Sequence, residues 1–187
     1  MDRDQIKLVF LGSSGVGKTC LINRFILGKY DSEAYASSSP SYANKVIKYE
    51  GEEYSFILWD TPGVEKYRAL TKIFLKDVHI IVLVYDITNK TSFLDLQYWL
   101  DYIIEKYGSN TFNVLIGNKS DLNSIKEIKE SDGSKFAEII KAKFAHVSAK
   151  TNDNWSNIFE DILIDYIKIR KSEEDDYDYA DDINIIY

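Results

Sequence analysis

Two hydrophobic rhythms take turns along this chain. Ile6 to Leu11 is an apolar run that reads as a strand, whereas Cys20, Leu21, Phe25 and Ile26 are spaced for one face of a helix that Gly28 would stop. Tyr30 to Pro40 is polar and serine-rich, as a loop is. Period-two alternation then returns over Tyr42 to Tyr49 and Tyr54 to Trp59, and Glu50-Gly51-Glu52 between them predicts a hairpin turn. Helical spacing follows through Leu70, Ile73 and Phe74. His79 to Tyr85 is almost continuously apolar, the pattern of a central parallel strand covered on both faces. The alternation goes on with a helix over Thr91 to Tyr107, a strand at Val114-Leu115-Ile116, a helix over Ser134 to Ala142, a strand over Phe144 to Val147 and a helix over Trp155 to Ile169. Strand and helix in turn predict an α/β domain with a mostly parallel sheet and ligand loops at its carboxyl edge.

The polar punctuation carries the chemistry. Between the first strand and the first helix stands Gly12-Ser13-Ser14-Gly15-Val16-Gly17-Lys18-Thr19, the spacing G-x-x-x-x-G-K-[ST]. Its glycines let backbone N–H groups approach phosphate oxygens, Lys18 adds a point charge, the Thr19 hydroxyl can ligate Mg²⁺, and the helix start turns its positive end to the anion. Ser14, Gly15, Val16, Gly17, Lys18, Thr19 and Cys20 are therefore the candidate phosphate-binding residues. Asp60-Thr61-Pro62-Gly63 forms a second loop where a strand's carboxyl end would face the first.

The choice of base is argued from Gly117-Asn118-Lys119-Ser120-Asp121, after the strand at Leu115. A carboxylate at Asp121 can accept from both the ring N–H and the exocyclic amine of guanine, a pair that adenine does not present. Asn118 would bridge the base edge and the phosphate loop, and the stem of Lys119 can lie over the rings. Ser148-Ala149-Lys150 follows the last strand; the Ala149 N–H could donate to the guanine carbonyl and Lys150 could cover the base.

Composition narrows the setting. The 187 residues, 45% of them hydrophobic, suffice for one domain with a sizeable core. Net charge is −7, and seven acids with no base lie beyond Lys171, so the remaining 23 acids balance the 23 Lys and Arg. A neutral body argues against nucleic-acid binding, and the acidic tail would be repelled by anionic lipid. Residues 1–171 are expected to form the domain. Residues 172–187 are expected to be an acidic tail or linker, either a disordered solvated extension or a recognition segment containing Tyr177, Tyr179 and Tyr187. The single cysteine, Cys20, excludes an internal disulfide and suits a reducing compartment. No signal peptide or membrane span is visible.

Taken together, these motifs resemble the Ras superfamily of small GTPases over roughly residues 6 to 170, most closely its Rab branch, whose phosphate loop Ser14 fits. The resemblance implies a phosphate-loop NTPase small G domain, with a six-stranded, mostly parallel sheet of order 2-3-1-4-5-6 flanked by five helices. GTP or GDP and Mg²⁺ are the implied cofactors. By the same resemblance Tyr30 packs edge-on against guanine, and Asp60 holds Mg²⁺ through a water. The Gly63 N–H meets the γ-phosphate, and Tyr42, Trp59 and Phe74 are the aromatic residues that touch effectors. Effectors, exchange factors and GTPase-activating proteins are implied partners through the switch loops and these three aromatic residues.

Three departures bear on mechanism. The family's first switch places a threonine on Mg²⁺, and the matching position here is Ser37, with Ser38 one residue away as the alternative. In the second switch Val64 replaces the glutamine that orients the attacking water, and an isopropyl group neither donates nor accepts a hydrogen bond. Of the catalytic positions, Lys18, Gly63 and Val64, the last predicts slow intrinsic hydrolysis. Pro62 removes one N–H beside the nucleotide and stiffens the loop. No arginine is placed to act in cis, so fast turnover needs one from a partner, an effect worth on the order of 10³ to 10⁵ in rate. Last, Asp2 stands where myristoylation needs a glycine and Asn184-Ile185-Ile186-Tyr187 has no cysteine for prenylation. The expectation is a cytoplasmic protein without a direct lipid anchor, brought to membranes only by partners or by a C-terminal continuation. Two functions follow: a nucleotide switch in vesicle trafficking or signalling, or a non-hydrolysing scaffold that keeps nucleotide as a structural ligand.

Overall fold

The computed structural model describes residues 5–31, 39–64, 67–107 and 111–184. Strands β1 (Gln5–Leu11), β2 (Ser41–Tyr49), β3 (Glu52–Asp60), β4 (Ile80–Asp86), β5 (Phe112–Asn118) and β6 (Lys143–His146) form one sheet of order β2-β3-β1-β4-β5-β6. Among the described residues only the β2–β3 pair is antiparallel, and the turn between them uses positive φ at Glu50 and Gly51. β4 is buried along its whole length, as its unbroken apolar run requires of a central strand.

The helices are α1 (Lys18–Leu27), α2 (Arg68–Phe74), α3 (Lys90–Leu94), α4 (Leu96–Tyr107), α5 (Glu130–Ile139) and α6 (Trp155–Asn184). Gly28 ends α1 with φ 66°, its N–H returning to the Arg24 carbonyl. The single helix expected over Thr91 to Tyr107 is present as α3 and α4, joined through Asp95, whose own backbone is helical and whose N–H bonds the Thr91 carbonyl at 2.9 Å. Counted as one hitched helix, they give five α-helices among the described residues, the number that the resemblance implied.

Two compact units divide the chain, residues 1–156 and 157–187. The sheet and every candidate site residue belong to the first. The second continues α6, with Phe159, Ile162, Leu163 and Ile167 forming a buried apolar stripe. Helix α6 runs on past Lys171 to Asn184. The reason is local: no glycine or proline interrupts the sequence after Trp155. Among the described residues no helix is long and apolar enough to cross a membrane.

Candidate nucleotide site

The site begins where β1 can no longer continue as a strand. Gly12 adopts φ 144°, and a Cβ there would overlap the Val84 carbonyl, so only glycine lets the chain turn this close to β4. The loop leads into α1 at Gly17, whose φ is 96°. Lys18 is buried and closes the loop on itself, its Nζ donating to the Gly12 carbonyl at 2.8 Å and the Ser13 carbonyl at 3.0 Å. Burial pushes the ammonium down to about 8, with nearby Asp60 opposing the shift. Ser13 is tied outward, its Oγ donating to Asp95 at the α3–α4 junction at 2.7 Å.

Two of the expected metal-binding residues meet directly. Thr19 in the first turn of α1 donates through Oγ1 to Asp60 Oδ2, at the end of β3, at 2.6 Å. A hydroxyl and a carboxylate are hard oxygen donors suited to Mg²⁺, which normally keeps few protein ligands and takes the rest from phosphate and water. Among the described residues no cluster of three or more His, Cys, Asp or Glu stands ready to hold a metal alone. Ser37 and Ser38 lie outside the described residues.

Beyond Asp60 the chain bends back over the phosphate loop. Thr61 Oγ1 anchors it to the Phe10 carbonyl at 2.6 Å. Gly63 lies against the backbone of Ser13 and Ser14, where a Cβ would come within 2.5 Å of the Ser13 carbonyl. Val64 follows, partly buried, and its carbonyl accepts from the Tyr67 N–H at 2.9 Å.

The base loops converge on Asn118. Its Nδ2 donates to the Val16 carbonyl of the phosphate loop at 2.8 Å, and its Oδ1 accepts from the Ala149 N–H at 3.1 Å. A Cβ on Gly17 would overlap that amide. The Ala149 N–H, expected to meet a base carbonyl, is thus engaged by Asn118 here, and a base at that position has to share or displace it. Lys119 takes φ 69° and pairs with Asp86 at 2.6 Å, whose other oxygen accepts from the N–H and hydroxyl of Thr88. Asp121 accepts from Ser148 Oγ at 2.6 Å. A cavity of about 340 Å³ opens between these groups. Gly15, Gly17, Cys20 and Tyr30 line it on one side; Asn118, Lys119, Asp121, Ala149 and Lys150 line it on the other. Burial pushes the Cys20 thiol up, which keeps it protonated beside the cavity.

Sequence reasoning missed the residues that hold the loops. Arg24 donates from Nε to the Ala149 carbonyl and from Nη2 to the Lys150 carbonyl, both at 2.8 Å, and from Nη1 to the Gly28 carbonyl at 2.7 Å. A basic residue in the last turn of α1 was the available signal. Asp86 and Asp31, the latter also lining the cavity, carried no motif. Away from the cavity, Tyr42, Trp59 and Phe74 lie in a row, with Tyr42–Trp59 centroids 5.2 Å apart and Trp59–Phe74 centroids 5.0 Å apart.

A strand, glycine loop and lysine-bearing helix, with a carboxylate loop at the same sheet edge, define a phosphate-loop nucleotide-binding protein of α/β class. The Ras family model matches residues 7–168. The chain is 36% identical over 157 residues to Ras-related protein Rab-30 of Homo sapiens, covering 83% of this chain and 77% of that protein. It is also 38% identical over 149 residues to Ras-related protein Rab-26 of Mus musculus, covering 79% and 57% respectively. The chain therefore belongs to the Ras family, as a Rab-like small GTPase.

Proposed function

We propose that this protein is a Rab-like guanine-nucleotide switch that binds GTP and GDP with Mg²⁺ and hydrolyses GTP slowly by itself. One observation carries the reading: Asn118 ties the phosphate loop to the Ala149 loop beside a cavity that Asp121 also lines. In that cavity Asp121 would accept from the guanine N–H groups, Tyr30 and the stem of Lys119 would pack on the rings, and Lys150 would cover them. Backbone N–H groups of residues 14–20 and Lys18 would hold the phosphates, and Thr19, Asp60 and Ser37 would serve Mg²⁺, which supplies charge neutralisation between the phosphates when bound. Gly63 would sense the γ-phosphate, ordering the loops that are released when it is lost.

Residues 1–171 would act as the G domain and 172–187 as an acidic extension. Effectors, exchange factors and GTPase-activating proteins would engage the two switch loops and the Tyr42–Trp59–Phe74 row, in vesicle trafficking. Mass spectrometry of the nucleotide that co-purifies tests the base. GDP or GTP is expected, and equal binding of ADP and GDP overturns the reading.

A second reading, a scaffold that keeps nucleotide without hydrolysing it, is favoured by Val64, which offers no group to orient water. Single-turnover hydrolysis separates the two. A measurable chemical step supports the switch, and Val64→Gln is then expected to raise its rate; unchanged GTP after long incubation supports the scaffold.

A further inference from the structure

A part-buried polar pair lies behind the base loops, across a position of β5 that contributes no side chain. Tyr85 of β4, Gly117 of β5 and His146 of β6 share one register row. Strands two apart in a sheet are about 9.6 Å from each other. Their side chains meet only if the intervening residue leaves room. Gly117 does so, because a Cβ there would stand 2.7 Å from His146 Nε2 and 2.8 Å from the Tyr85 ring. Gly133 of α5 leaves a second opening, since a Cβ there would lie 2.5 Å from the Tyr85 hydroxyl. Between the two glycines the Tyr85 hydroxyl and His146 Nε2 meet at 2.7 Å. Phe93 and Phe144 close the space edge-on, with centroids 4.9 Å from Tyr85 and 5.2 Å from His146. Neither member of the pair lines the nucleotide cavity.

The base-reading residues start one position past this row. Asp86, next to Tyr85, holds the Lys119 ammonium. Asn118, next to Gly117, holds the phosphate loop and the Ala149 N–H. Ser148, two past His146, holds Asp121, and the Val147 carbonyl between them accepts from the Ser120 N–H at 3.0 Å. Three strands thus deliver three loops to one cavity, and the Tyr85–His146 bond spans the outer two across β5 at this end.

We propose that Tyr85 and His146, joined over Gly117, form a cross-strand clasp that positions Asn118, Lys119 and Asp121 and so sets how tightly and how selectively guanine is held. The inference rests on the guanine-nucleotide reading above, and it makes both residues positioning residues.

The test uses the full chain and two readouts, the rate of GDP release and the ratio of GDP to IDP affinity. IDP lacks the exocyclic amine from which Asp121 would accept, and its phosphates are the same, so the ratio reports the base loops alone. Tyr85→Phe keeps the ring and deletes the hydroxyl. It is expected to speed release about three- to tenfold and to lower the ratio by a similar factor. His146→Gln, whose amide can still reach the hydroxyl, is expected to stay nearer the parent than His146→Leu, and Tyr85→Phe combined with His146→Leu is expected to be no worse than the worse single change. Unchanged release, an unchanged ratio, additive losses, or equal behaviour of His146→Gln and His146→Leu overturns the clasp. If Tyr85→Phe does not fold, the two His146 variants carry the same comparison. Binding of GDP no tighter than ADP by the unsubstituted chain overturns the nucleotide reading instead, so the two failures are distinct.

Discussion

Raising the pH from 7 to 9 removes the proton from Lys18 in the unliganded protein, because burial has brought its ammonium down to about 8. Phosphate oxygens beside that nitrogen favour the charged form, so nucleotide binding draws a proton in. Affinity then follows the fraction of unliganded protein already protonated, which is about nine-tenths at pH 7, about one-half at pH 8 and about one-tenth at pH 9. The expected loss is about tenfold over the two pH units, or about 1.4 kcal/mol. The sign is fixed by the direction of the shift: the lysine's contribution is full below the unliganded value and is lost as pH rises through it. Fluorescence titration with GDP at pH 7, 8 and 9 measures this, with Lys18→Ala as the reference, since any ionisation of the base is common to both. The ratio of parent to Lys18→Ala affinity should fall about tenfold. A ratio that stays flat would refute the argument that burial of the unliganded lysine governs the phosphate site.

Three further outcomes are expected. Asp121→Asn loses a charge-assisted acceptor and should weaken GDP binding by about 10- to 150-fold, while improving binding of xanthosine diphosphate, whose carbonyl can accept from the new amide; competitive titration of the two checks it. Trp155→Phe deletes the Nε1 bond to the Leu21 carbonyl (2.8 Å) and part of a fully buried ring between Phe10 and Phe25, so calorimetry should show a loss of about 2 kcal/mol and a Tm lower by about 4–8 °C. His146 is held below its ordinary 6.5 mainly by burial, with Glu130 opposing and Lys126 assisting. Stability should accordingly be constant above about pH 6.5 and fall as the pH drops below it, and His146→Gln should flatten that slope in urea titrations between pH 7 and 5.

The phosphate loop was legible because its function needs particular residues at fixed spacing: Gly12 and Gly17 for their backbone, Lys18 for its charge. β4 was legible because a strand covered on both faces admits little polarity. Residues whose roles depend on register or on distant loops were not legible. Tyr85 and His146 are 61 positions apart and meet only through the row that Gly117 completes. Arg24 reads as one surface arginine on an amphipathic helix until β6 brings the Ala149 and Lys150 carbonyls to it. The continuation of α6 through an acidic segment follows from a different signal, the absence of any glycine or proline after Trp155.

Arg24 also decides how the pocket can be emptied. Its guanidinium straps the far end of α1 to the Ala149–Lys150 loop, which under the proposed function would cover the base, while the near end of the same helix would hold the phosphates. The two ends of a nucleotide so bound would be fastened to one helix. A regulator that levers at either end would then strain the other, and release is expected as a single concerted event.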